Sequence, residues 1–139
     1  LNPDRRFIEE AAWLHDIGIR ETRSPALGCH GGLPYVCHGH AGAEMLRAIG
    51  MPRHARVCEN HVGVGFTADE IRRRRLPLPC RDMLPATVEE QIVCYADKFF
   101  SKSALGAGRE KRLEEIIAEL REFGDDKVER FLSWVTIFQ

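Results

Sequence analysis

Ala11-Ala12-Trp13-Leu14-His15-Asp16-Ile17-Gly18 decides how the rest of the chain is read. An imidazole and a carboxylate stand side by side, directly after an apolar run and just before a glycine. Together they can reach one divalent cation, and the negative end of a helix dipole favours a cation there. Upstream, Asn2-Pro3-Asp4 reads as a helix start, with Asn2 as N-cap and Pro3 at the first helical position. Phe7, Ile8, Ala11, Ala12 and Leu14 form the apolar stripe, and Gly18 is expected to stop the helix.

Downstream, Ile19 to Cys37 is rich in glycine and proline without a clear period, and reads as a long loop. A helix is predicted from about His38 to Ile49, closed by Gly50, and another from Pro52 through His61, ended by Gly63. Thr67–Glu70 and Thr87–Glu90 both read as capping boxes. The second opens a helix with Val88, Ile92, Ala96, Phe99 and Phe100 on its buried side. Leu105–Gly108 reads as a flexible joint. Two further helices carry Leu113, Ile116, Ile117, Leu120 and then Val128, Phe131, Leu132, Val135, stripes that serve either the core or a homodimer contact. No strand pattern stands out, so the fold class is all-α. The 139 residues read as a single domain, 1–139, with its motif region at 7–103 and a C-terminal helical pair at 109–138.

The balance of 20 basic against 21 acidic residues gives a net charge of −1 and offers no strong nucleic-acid signal. The Arg72–Arg75 run reads as a solvated face. No apolar run is long enough to span a bilayer, and no signal peptide is visible. Five cysteines without CxxC spacing read as reduced thiols, which places the protein in the cytoplasm. All six histidines fall within the first 61 residues. His15 and Asp16 cannot hold a metal alone. His38, His61 and Asp97 are the candidates to complete the set, since a carboxylate beside a buried helix face must be neutralised. His40 is a rival to His38, His54 reads as partly exposed, and His30 is a candidate to line the site. Cys29-His30 and Cys37-His38 could instead build a structural zinc knot.

On these strings, His15-Asp16-Ile17-Gly18, His38-Gly-His-Ala-Gly, Cys58-Glu-Asn-His61 and Tyr95-Ala-Asp97-Lys98, the sequence resembles the HD superfamily of metal-dependent phosphohydrolases, in its HDIG subgroup. The resemblance implies a helical HD bundle with one or two divalent metals (Fe, Mn, Zn, Ni, Co or Mg) held by His15, Asp16, His38, His61 and Asp97. It implies hydrolysis of a small phosphorylated substrate, a nucleotide by preference, through a metal-activated hydroxide. Asp16 and Asp97 would receive the proton, Lys98 would act beside them, and Lys98, Lys102 and Arg20 would contact phosphate. The family's opening His has no counterpart in the chain. Because the chain begins at Leu1, that His is expected on an upstream segment. The alternative is a degenerate HD module that binds a nucleotide or a partner without turnover.

Overall fold

The computed structural model describes residues 1–100, 102 and 108–139, and it is mainly helical. The joint expected at Leu105–Gly108 lies outside the described residues except for Gly108. Seven α-helices follow in order: α1 (Arg5–Leu14), α2 (His38–Ala48), α3 (Pro52–Asn60), α4 (Ala68–Arg73), α5 (Val88–Asp97), α6 (Leu113–Arg121) and α7 (Asp125–Phe138).

The first helix starts later than its sequence suggests. Asp4 is the N-cap, its carboxylate accepting from the Phe7 amide at 3.1 Å, so Asn2 and Pro3 precede the helix. A carboxylate cap adds charge to the hydrogen bond at the positive helix end, which an Asn2 cap would lack. Gly18 does not stop this helix either. α1 ends at Leu14 with His15 as C-cap, and Gly18 lies in a following 3-10 turn, Ile17–Glu21.

The stretch expected to be a plain loop contains a small antiparallel hairpin. β1 (Arg23–Ser24) pairs with β2 (Cys29–His30) in the register Arg23–His30 and Ser24–Cys29. Two-residue strands carry too few side chains for an alternating pattern, so sequence periodicity could not register them. Thr22 seals the base of the hairpin, donating to the Ile19 carbonyl at 2.7 Å.

Glycines set the closest approaches. A Cβ on Gly18 would lie 1.9 Å from the His38 carbonyl oxygen and 2.5 Å from the Gly42 nitrogen, both backbone atoms of α2. A Cβ on Gly39 would lie 2.5 Å from the Cys58 carbonyl of α3. The 3-10 turn, α2 and α3 therefore pack backbone to backbone. Ala43, Leu46, Ala55 and Cys58 fill the space around this contact.

Only one of the two capping boxes closes. Thr87 and Glu90 satisfy each other's backbone amides as expected. Thr67 accepts from the Glu70 amide at 3.1 Å, but the Glu70 carboxylate turns to Arg74 and Lys127 instead. A charged pairing outcompetes the neutral amide for that carboxylate.

The inward face of α5 also differs from expectation. Glu90, Val93 and Cys94 are buried, while Ala96 and Phe100 are exposed. Asp97 follows Val93 and Cys94 by four and three residues, so it lies on the inner face itself. The C-terminal pair joins the rest through one apolar cluster: Val64, Cys94, Ile116, Leu120, Val128, Phe131 and Trp134. Leu132, expected inward, is 40% exposed, and Trp134 takes the buried position.

A buried carboxylate ties α2, α3 and the following loop together. Glu59, 7% exposed, accepts from Arg47 at 3.0 Å and from Arg81. Burial disfavours its charged form, but these guanidiniums outweigh it and hold the carboxyl below the ordinary 4.5. A lowered folded pKa contributes stability that is present above the unfolded value and lost as pH falls through the folded one. Glu59→Gln should therefore lower the melting temperature at neutral pH, and the gap to the parent should shrink in acid. A gap that persists unchanged at low pH would show that the charge is not what stabilises this corner.

Candidate functional site

Three histidines are aimed by the same local device. The Nδ1 of His15 bonds the Ala12 carbonyl at 2.6 Å, that of His38 the Tyr35 carbonyl at 2.6 Å, and that of His61 the Cys58 carbonyl at 2.7 Å. In each case the partner stands three residues earlier. The Nδ1 donates, so the Nε2 of each ring is turned toward the interior. His15 and His61 cap the C-termini of α1 and α3, His38 opens α2, and Asp97 closes α5.

Those Nε2 atoms converge on two carboxylates. His61 Nε2 is 3.1 Å from His38 Nε2 and 3.2 Å from Asp16 Oδ1. His38 Nε2 is 3.5 Å from the same oxygen. His15 Nε2 stands 3.2 Å from Asp16 Oδ2 and 3.2 Å from Asp97 Oδ1. His15, His61 and Asp97 form one group with ligand atoms within 4.8 Å of one another, and Asp16, His38 and His61 form a second. All five residues singled out in the sequence are thus brought together.

Charge is divided within the cluster. For His15, burial opposes protonation, but hydrogen bonds to Asp16 and Asp97 outweigh it and push the imidazole up to about 9. His38 is lowered to about 4 by burial and by the neighbouring His61. Burial also lowers His61. Asp16 and Asp97 are buried enough to resist ionisation, yet hydrogen bonds from His15, with His61 on Asp16 and the lysines beside Asp97, hold both well below the usual carboxylate range. Two neutral imidazoles therefore point lone pairs at each other and at a carboxylate. Such a donor set fits a cation.

The lysines sit where phosphate contacts were expected. Lys102 Nζ bonds Asp97 and lies 3.3 Å from Asp16 Oδ2, and Lys98 Nζ lies 3.3 Å from Asp97 Oδ2. Arg20 does not join them. Its side chain is 70% exposed and pairs with its neighbour Glu21 at 3.4 Å. The 3-10 turn that presents Asp16 to the interior turns Arg20 outward.

The other histidines separate cleanly. His40 faces Glu59 at 3.5 Å, on the opposite side of α2 from Asp16. His54 pairs with Glu10 at 2.9 Å and packs edge-on against Phe7. His30 is exposed in β2. The zinc knot does not form: the Cys37 thiol donates to the Pro77 carbonyl and the Cys29 thiol to the Leu27 carbonyl.

Three residues around the site were not legible in the sequence. Tyr35 lays its ring 4.4 Å from that of His38, and an aromatic residue three positions before a histidine was the only available signal. The Cys58 and Cys94 thiols donate to the carbonyls of Leu14 and His61. Burial pushes both up to about 12, so they stay protonated as donors. A cavity of about 540 Å³ opens beside Asp97, Lys98 and Lys102.

Among known proteins, the chain is similar to archaeal ones. It is 37% identical over 99 residues to a tRNA (cytidine(56)-2'-O)-methyltransferase of Picrophilus torridus, covering 70% of the chain and 25% of that protein. It is 29% identical over 131 residues to the tRNA (cytidine(56)-2'-O)-methyltransferase of Thermoplasma volcanium, covering 93% of the chain and 33% of that protein. An uncharacterized protein of Methanocaldococcus jannaschii is 39% identical over 95 residues, 68% of the chain and 48% of its own length. The chain thus spans less than half the length of each of these relatives. No family model matches it, and no solved structure does.

These relatives correct the functional expectations. The activity in their names is methylation of a ribose hydroxyl of tRNA, so membership of the HD phosphohydrolases and hydrolysis of a phosphate ester are withdrawn. The hydrolytic step written for Asp16, Asp97 and Lys98 goes with them, although the positions of these side chains do not change. One or two divalent metals as the cofactor of that hydrolysis are likewise withdrawn. The partner expectation is corrected too: the named substrate is a nucleic acid, not a small phosphorylated molecule. Overall charge hid this, because a net −1 says nothing of how charge is distributed over one cleft. Among the described residues no helix is long and apolar enough to cross a membrane.

Proposed function

We propose that this chain is a helical module of a longer tRNA-modifying methyltransferase, and that its polar centre engages the RNA. The observation that supports this reading is the 37% identity over 99 residues to the Picrophilus protein. The named activity belongs to proteins of which the chain covers 25% and 33%, so methyl transfer is proposed for the longer protein and RNA engagement for this part. Residues 1–139 are read as one unit, and the cytoplasm, where tRNA is found, is its proposed location.

Methylation of this kind takes its methyl group from S-adenosylmethionine, a sulfonium cation. The residues around the polar centre do not fit that group. Lys98 and Lys102 would set two ammonium charges against the sulfonium, in the cavity bordering Asp97. The methyl donor is therefore proposed to bind on residues other than these. The five clustered residues retain a proposed role as ligands. Their carboxylates and inward-facing imidazole nitrogens suit a cation that anchors the RNA backbone, with Lys98 and Lys102 beside it as phosphate contacts.

Asp16→Asn tests this in the longer protein. It keeps the volume and removes the charge that both ligand groups adjoin. Affinity for tRNA should fall about tenfold, a change of about 1.4 kcal/mol, with the melting temperature retained. Unchanged tRNA affinity and methylation, both in Asp16→Asn and in a protein lacking this chain, would overturn the reading.

A further inference from the structure

We infer that a cleft leading away from the polar centre seats an unpaired nucleotide of an RNA strand, with Phe123 as the platform on which its base stacks. This rests on the reading that the chain engages RNA, and it names the form of RNA and the contact.

Two cavities, of about 540 and 260 Å³, share Tyr35, Gly63, Leu120 and Phe123 in their walls and so form one cleft. Each is near or within the range of small-ligand pockets, ~300–1,000 Å³. At the inner end stand Asp97, Lys98 and Lys102 of the polar centre. At the outer end stands Phe123, just past the C-terminus of α6 and 60% exposed. An exposed phenylalanine is costly in water unless something covers it. The Arg74 guanidinium lies 5.5 Å from the centre of its ring, and Tyr35, 42% exposed, lies further along the wall.

Charge selects the occupant. Five cationic side chains line the cleft (Lys98, Lys102, Lys111, Arg74 and Lys127) against two carboxylates, Asp97 and Glu119. The lining is therefore positive within a chain whose net charge is −1. An open aromatic face beside a run of cations matches the two ends of a nucleotide, a flat base and a charged phosphate. A paired base offers no free face, because its neighbours in the duplex cover both sides. The cleft therefore takes a single strand in preference to a helix.

The test is fluorescence anisotropy of this chain with a labelled short single-stranded oligoribonucleotide, with the same sequence as a duplex, and with intact tRNA. Phe123→Ala should weaken single-strand binding by about 5- to 150-fold, the range for losing one stacked base. Phe123→Trp should restore it. Phe123 is exposed, so the melting temperature of both variants should match the parent. Duplex binding should be weaker and insensitive to Phe123. Single-strand affinity equal in Phe123→Ala and parent overturns the inference. If tRNA binds while the single strand does not, the cleft reading falls and the module reading stands. If neither binds, both fall.

Discussion

Gly18→Ala is expected to cost about 3 kcal/mol or more, enough to leave little folded protein. The added methyl would sit 1.9 Å from the His38 carbonyl oxygen and 2.5 Å from the Gly42 nitrogen. Neither atom is the free end of a flexible side chain, so the 3-10 turn and α2 must separate. That separation removes Asp16 from His38 and His61, and the polar centre goes with it. Gly32→Ala is the control, because nothing lies within 4 Å of its added methyl. It should be close to neutral. Chemical denaturation of both variants decides the matter: equal midpoints for Gly18→Ala and the parent would mean that the backbone contact is not tight.

Lys127→Met should be the next most damaging change, at about 3–5 kcal/mol, the usual consequence of removing one partner from a buried ion pair. Lys127 is 3% exposed and Glu70 also 3%. The ammonium bonds the Glu70 carboxylate and the Gly65 carbonyl, the latter at 2.6 Å, and lies 4.7 Å from the centre of the Phe66 ring. Burial pulls Lys127 down, and Glu70 works against that. Removing the cation leaves Glu70 with Arg74 alone, and leaves the Gly65 carbonyl without its ammonium donor. A Lys127→Met, Glu70→Gln double variant should regain part of the loss, since no buried charge is stranded. Thermal melts of the single and double variants measure this. A double variant worse than the single one would place the energy in packing around Phe66 instead.

The candidate site was more legible than the fold around it. Imidazoles and carboxylates are scarce on apolar helix faces, so His15, Asp16, His38, His61 and Asp97 stood out by type alone, and all five meet. Helix existence was legible for the same kind of reason: the Thr87–Glu90 box and Pro52 at the start of α3 act through neighbours in sequence. The short hairpin at Arg23–His30 was not, because a strand of two residues has no period. The inner face of α5 was misread because its apolar residues outnumber its buried ones. Ile92, Ala96 and Phe100 look inward by hydropathy, yet they line an open groove facing Ile8 and Ala12 of α1. Function was the least legible part, because residues that suit a metal site say nothing of the longer protein in which they are used.

Local forces, then, are what the amino-acid string determined by itself: where helices begin, which carbonyl holds each imidazole, and which side chains carry charge. These depend on residues three or four apart, which are neighbours however the chain folds. The tertiary structure alone decided which carboxylate each cation meets. Glu70 could have closed a capping box and instead takes Lys127, fifty-seven positions away. Arg20 stands four residues from Asp16 and faces solvent, while Lys102 arrives from the far side of α5. Coulomb attraction depends on distance through space and on shielding from water, and neither is set until the helices have packed.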